Sequence, residues 1–86
     1  MNRGDILDEA KRLTMAEREV TYGSPSQNHQ RIASFWSTFL EHEISPQDVA
    51  LMMALVKVAR LMQSPGHLDS VHDLCAYAAI AGELRP

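Results

Sequence analysis

Lys57 and Arg60 interrupt an otherwise apolar stretch and stand three residues apart, so on a helix they share a face. Asp69, Asp73 and Tyr77 follow at spacings of four and line one face of the next helical segment. Folding the chain into an antiparallel hairpin about Gly66 brings Arg60 opposite Asp73, with Lys57 near Tyr77. The sequence therefore predicts an Arg60–Asp73 pair beside a lysine and a tyrosine. A buried charge is normally paired, so the pair has a structural reading. It also has a chemical one, because Lys57, Arg60 and Arg31 together outnumber Asp73. A planar guanidinium next to a compact ammonium is suited to phosphate.

A second concentration of hydrogen-bonding groups lies in "TYGSPSQNHQRIASFW", residues 21–36. Tyr22, Gly23, Asn28 and Arg31 sit there at a junction between helical segments. Read alone, this is a well-made interhelical corner. His67, His72 and Cys75 match no standard zinc spacing, and His29 and His42 are remote in sequence, so no metal is expected. His67, beside a Pro-Gly turn, is expected to hydrogen-bond locally. There is no nucleophile elbow, phosphate-cradling glycine loop or dinucleotide fingerprint, and no spacing suggests a catalytic triad. No cofactor and no catalytic residue are expected.

Four helical segments must position these groups. In the first, Ile6, Leu7, Ala10, Leu13, Ala16 and Val20 form one apolar stripe, and Thr14 with Glu17 could restart the helix through a capping box. Gly23 ends that segment. The second opens on "SPSQ", with Ser24 as cap, Pro25 at the first helical position and Gln27 completing a capping box. Ile32, Phe35, Trp36 and Phe39 make its buried stripe. The third opens on "SPQD" and runs to about Gln63, with Ser45 as cap and Asp48 meeting the helix dipole. The fourth starts near Asp69 as cap and runs to about Ala81.

The third segment is apolar on nearly every side, from Val49 to Met62. Such a helix must be covered all round, and three other short helices can scarcely do it. The expectation is an all-α fold, a small antiparallel bundle of about four helices in one domain over residues 1–86, completed by homo-oligomerisation. The bulk numbers agree with that scale. The chain has 86 residues, one cysteine and a formal net charge of −3. One thiol forms no internal disulfide, and with no signal peptide it points to a reducing cytoplasm. The negative charge opposes a nucleic-acid partner. The longest apolar run is too short to span a bilayer.

"YGSPSQNHQRIASFW", "ISPQDVALMMALVKVARL" and "HLDSVHDLCAYAAIAGEL" together resemble an uncharacterised family of short helical proteins from phages and prophages. The resemblance covers Ile6 to Leu84. Two positions depart from that pattern: Ala16-Glu17 stands where Gly-Asp is common, and Val71 where Trp is common. The same elements look like the phage nucleotide-modification-associated helical domain and, more distantly, the MazG-type nucleotide pyrophosphohydrolases. These resemblances imply a phosphorylated nucleotide as ligand. Tyr22 would then stack on a base, Gly23 would admit backbone close to the ligand, and Asn28 and Arg31 would bond a base edge or phosphate at a helix N-terminus. Lys57, Arg60, His67, Asp69, Asp73 and Tyr77 complete the implied ligand-binding set.

Three functions follow. The first is a non-catalytic nucleotide-binding homo-oligomer, concretely a sponge for a cyclic nucleotide of host anti-phage immunity. The second is a MazG-like diphosphohydrolase, which needs carboxylates gathered around Mg²⁺. Glu17, Glu41, Glu43, Asp48, Asp69 and Asp73 do not show that family's pairing, so the enzyme reading is the weaker. The third is a module that binds another protein through its apolar helices.

Overall fold

A computed structural model of the protein describes residues 1–17 and 23–86, and of Ala16 and Glu17 the backbone alone. The described residues form four helices and no strand: α1 (Arg3–Arg12), α2 (Pro25–Leu40), α3 (Pro46–Gln63) and α4 (Leu68–Glu83). The all-helical expectation holds. α3 and α4 form the principal pair, α2 packs on α3, and α1 packs on α4.

The helix starts follow from local chemistry. Pro25 and Pro46 occupy first-turn positions after Ser24 and Ser45, where the missing N–H costs nothing. At α3 both halves of a capping box form. The Asp48 N–H donates to the Ser45 hydroxyl at 3.0 Å, and the Ser45 N–H donates to the Asp48 carboxylate at 2.9 Å. At α2 the Gln27 N–H donates to the Ser24 hydroxyl at 3.2 Å, with Gly23 just before it at φ 79°. The Ser24 side chain thus supplies that half of the expected box. α1 carries a complete box that the sequence reading did not include, Asn2 with Asp5.

Three expectations about the elements are corrected. The first segment does not restart at Thr14. It widens into a π-helical turn over Leu13–Glu17, and the Thr14 hydroxyl donates back to the Lys11 carbonyl at 3.0 Å. That hydroxyl is thereby engaged behind, not ahead, of its own residue. α4 is capped two residues earlier than expected, by His67, with Asp69 inside the first turn, because the Pro65-Gly66 turn closes on Ser64 through the His67 N–H at 3.0 Å. Phe35 and Phe39 are not buried. They are 69% and 86% exposed, while the inward side of α2 is taken by His29 and Ala33. Val20, at the end of the first expected stripe, lies outside the described residues.

The core is small. Among the described residues, six of the eight buried apolar side chains are alanines, joined by Val49 and Ile80. Ala50, Ile80 and Ala81 form its centre, with Tyr77 and Leu84 packed against them. Alanine lets helix backbones approach closely but buries little surface. Polar ties add to the seam. The Gln47 amide donates to the Ala81 carbonyl at 3.1 Å, satisfying a last-turn acceptor of α4. Between α2 and α3, the Ser37 hydroxyl accepts from the Ile44 N–H at 2.9 Å. With so little apolar burial, caps carry weight. Ser45→Ala is expected to cost about 1 kcal/mol and lower the melting temperature by roughly 4–8 °C in a domain this size. Thermal unfolding by circular dichroism checks it, and an unchanged midpoint would contradict it.

Candidate functional site

α4 gathers side chains from all three other helices. From α3, the Lys57 ammonium reaches the Asp73 carboxylate at 3.3 Å, with the two side chains only 15% and 19% exposed. This corrects the expected Arg60–Asp73 pair. The buried line of α3 runs through Ala50, Ala54, Lys57 and Leu61, and Arg60 lies off that line and is exposed. Register alone placed Arg60 within reach; helix phase gives the contact to Lys57. Among the described residues Arg60 makes no ion pair.

From α2, the His29 ring packs against Tyr77, one turn beyond Asp73, with ring centroids 6.3 Å apart at a 56° tilt. His29 is buried. Its Nδ1 lies 3.0 Å from the Pro25 carbonyl. A carbonyl can only accept, so Nδ1 carries the proton and Nε2 presents a bare lone pair. That Nε2 is buried and finds no hydrogen-bond donor among the described residues. Burial holds the His29 pKa below its ordinary value, with the Pro25 carbonyl opposing, so the ring is neutral.

From α1, Glu9 comes near His72. Its carboxylate accepts from Arg12 at 2.7 Å, and that hydrogen bond holds it below the usual carboxylate range. Desolvation opposes, and the charge of Arg12 and a smaller field from His72 assist. His72 is buried on α4 beside Asp73, and its Nε2 also lacks a partner among the described residues.

The structure thus brings together four residues: Lys57, Asp73, Tyr77 and His29. The first three are in the sequence-derived set. His29 and His72 were weighed there only as metal ligands, and their burial was not foreseen. A histidine on the inward line with Ala33 on α2 was the available signal. Asn28 is half-buried beside His29, and Arg31 is exposed. His67 is spent locally, its Nδ1 lying 2.7 Å from the Ser70 hydroxyl, and Asp69 is exposed in the first turn of α4. Gly23 adopts the left-handed backbone expected of a helix terminator, and the residues just before it lie outside the described ones. Tyr22 lies outside the described residues. No group of three His, Cys, Asp or Glu among the described residues is placed to hold a metal ion. No described helix is long and apolar enough to cross a membrane.

Residues 5–85 match the family described as a domain of unknown function, DUF6378, and the chain belongs to that family. It is 37% identical over 81 residues to the Gene 55 protein of Mycobacterium phage L5, covering 93% of this chain and 52% of that protein. It is 47% identical over 73 residues to the Gene 55 protein of Mycobacterium phage D29, covering 85% of this chain and 48% of that one. The chain therefore spans about half the length of these phage relatives. No solved structure matches it. The finding places the chain in a phage-type family, as the sequence elements suggested.

Two outcomes are expected from these contacts. Lys57→Met, which takes the ammonium away from the Asp73 carboxylate, should destabilise the fold by roughly 1–3 kcal/mol, and Lys57→Met with Asp73→Leu should cost less than the two single losses added together, because the contact is lost only once. Urea unfolding of the parent, the two single variants and the double variant reads this, and strictly additive losses would contradict it. The second concerns acid. The folded-state pKa of His29 lies below its unfolded value of about 6.5, so the unfolded chain takes the proton first. The contribution is complete above pH 6.5 and is lost as pH falls from there toward the folded-state value. His29→Gln should flatten the fall in urea midpoint between pH 7.5 and pH 5, and an identical pH slope in the variant would refute the assignment.

Proposed function

We propose that this member of the DUF6378 family is a non-catalytic nucleotide-binding protein that acts as a homo-oligomer, sequestering a cyclic nucleotide signal of host anti-phage defence. The observation that carries the reading is His29. A buried, neutral imidazole with an unused acceptor is costly unless something supplies a donor. It sits against Tyr77 and one turn from the Lys57–Asp73 pair. A nucleotide brings the missing donors as ribose hydroxyls and base N–H groups.

The phosphate would fall to Arg60. Lys57 is committed to Asp73, whereas Arg60, one turn further along α3, is an exposed residue. The capped start of α2, preceded by Gly23, adds a first turn of N–H groups with affinity for an anion. Tyr22 is the base-stacking residue in this reading, on the strength of its place in the sequence. The phage source of the relatives fits a role against host signalling.

Calorimetry with mono-, di- and cyclic nucleotides tests the proposal directly. Binding of at least one in the micromolar range or tighter is expected. Arg60→Ala should weaken it ten- to hundredfold, the equivalent of about 1.5–3 kcal/mol for a charge-assisted bond. Arg60→Lys should restore little, since the planar fork is lost. If no nucleotide in the panel binds below millimolar concentration, the proposal fails.

A further inference from the structure

α3 carries two apolar lines. One, through Ala50, Ala54, Lys57 and Leu61, faces the seam with α4. The other runs through Leu51, Leu55, Val58 and Met62 and is open, with Leu55 65% and Met62 82% exposed. Its spacings are four, three and four, the alternation of a helix-pairing stripe. They read the same in both directions about a point between Val56 and Lys57.

The open stripe has a size that matters. Leu51 and Val58 on it are 46% and 39% exposed, and Phe35 and Phe39 on α2 stand 69% and 86% exposed as well. Monomers rarely leave large apolar faces open, and such faces mark binding surfaces. The whole chain shows the same surplus. Its accessible surface is 6090 Å² for 9.6 kDa, whereas a compact monomer of that mass exposes about 5100 Å². Its radius of gyration is 13.4 Å, against about 12 Å for a compact chain of this length.

We infer that the Leu51–Leu55–Val58–Met62 face of α3 packs on the same face of a second copy, with the two α3 helices antiparallel across a two-fold axis. This deepens the homo-oligomer reading above by giving it a surface. A stripe that is its own reverse complements itself under such an axis, setting Leu51 against the partner copy's counterpart of Met62 and Leu55 against that of Val58. Antiparallel helices also align their dipoles favourably. The turn-proximal half of α2, with Phe35 and Phe39, then approaches the bare Met62 end of the other copy. A parallel pair would instead crowd the phenylalanines of both copies at the Leu51 end.

Mass and cross-linking are measured without nucleotide, so their outcome is independent of the nucleotide titration. Light scattering at tens of micromolar should give an even number of subunits, and Leu55→Lys, a change at an exposed position, should lower the mass to the monomer with its helical circular dichroism intact. If Leu55→Lys fails to fold, Met62→Lys serves the same reading. In a Cys75→Ser background, Leu51→Cys with Met62→Cys should oxidise to a covalent dimer. The two sites are about 16 Å apart along one helix, too far to close within a chain. Either cysteine alone should not cross-link. A monomeric parent chain, a dimer that survives both lysine variants, or efficient cross-linking through Leu51→Cys alone would overturn the inference.

Discussion

The close approach of α3 and α4 is the constraint on which the rest of the molecule depends. Alanines at 50, 54, 76 and 81 bring the two backbones together, and the large buried side chains of the two helices are Val49, His72 and Ile80. At such a spacing there is room for a lysine stem but not for a second layer of large side chains. Lys57 therefore lies along the seam and must find its counter-charge inside it, which Asp73 supplies. The larger apolar residues are displaced outward, to the open sides of α2 and α3.

α4 is consequently where the polar groups meet. It is the element touched by α1 and α3 along their lengths and by α2 through the His29–Tyr77 contact. Asp73 and Tyr77 therefore stand where any change in the placement of one helix is felt by the others. A ligand seated there would be sensed by every helix of the domain. The phage relatives carry about as much chain again beyond the matched part.

Much of this was legible in the sequence, and the boundary of legibility is physical. The starts of α2 and α3 were readable because a Ser-Pro cap is a local device, decided within four residues. The end of α3 at Gln63 was readable from the Ser-Pro-Gly that follows. The exchange of Arg60 for Lys57 at Asp73 was not, because a hairpin register leaves several positions within reach and only helix phase chooses among them. Phe35 and Phe39 were legible as an apolar face, but periodicity says which residues share a side and not whether anything lies against it. His29 was hidden for a different reason. Its single satisfied nitrogen is a contact to Pro25 within its own helix, whereas its burial comes from a distant part of the chain.

A core made of the smallest side chains inverts the usual pattern of mutational tolerance. Most small domains fail by losing volume, when a leucine or phenylalanine is trimmed and a cavity opens. Here trimming has little to remove. The damaging direction is growth: Ala50, Ala76 and Ala81 are almost wholly buried, so volume added there must displace a neighbour. Sequence drift in such a protein is confined to one size class at these positions, while the open faces are free to exchange one large side chain for another.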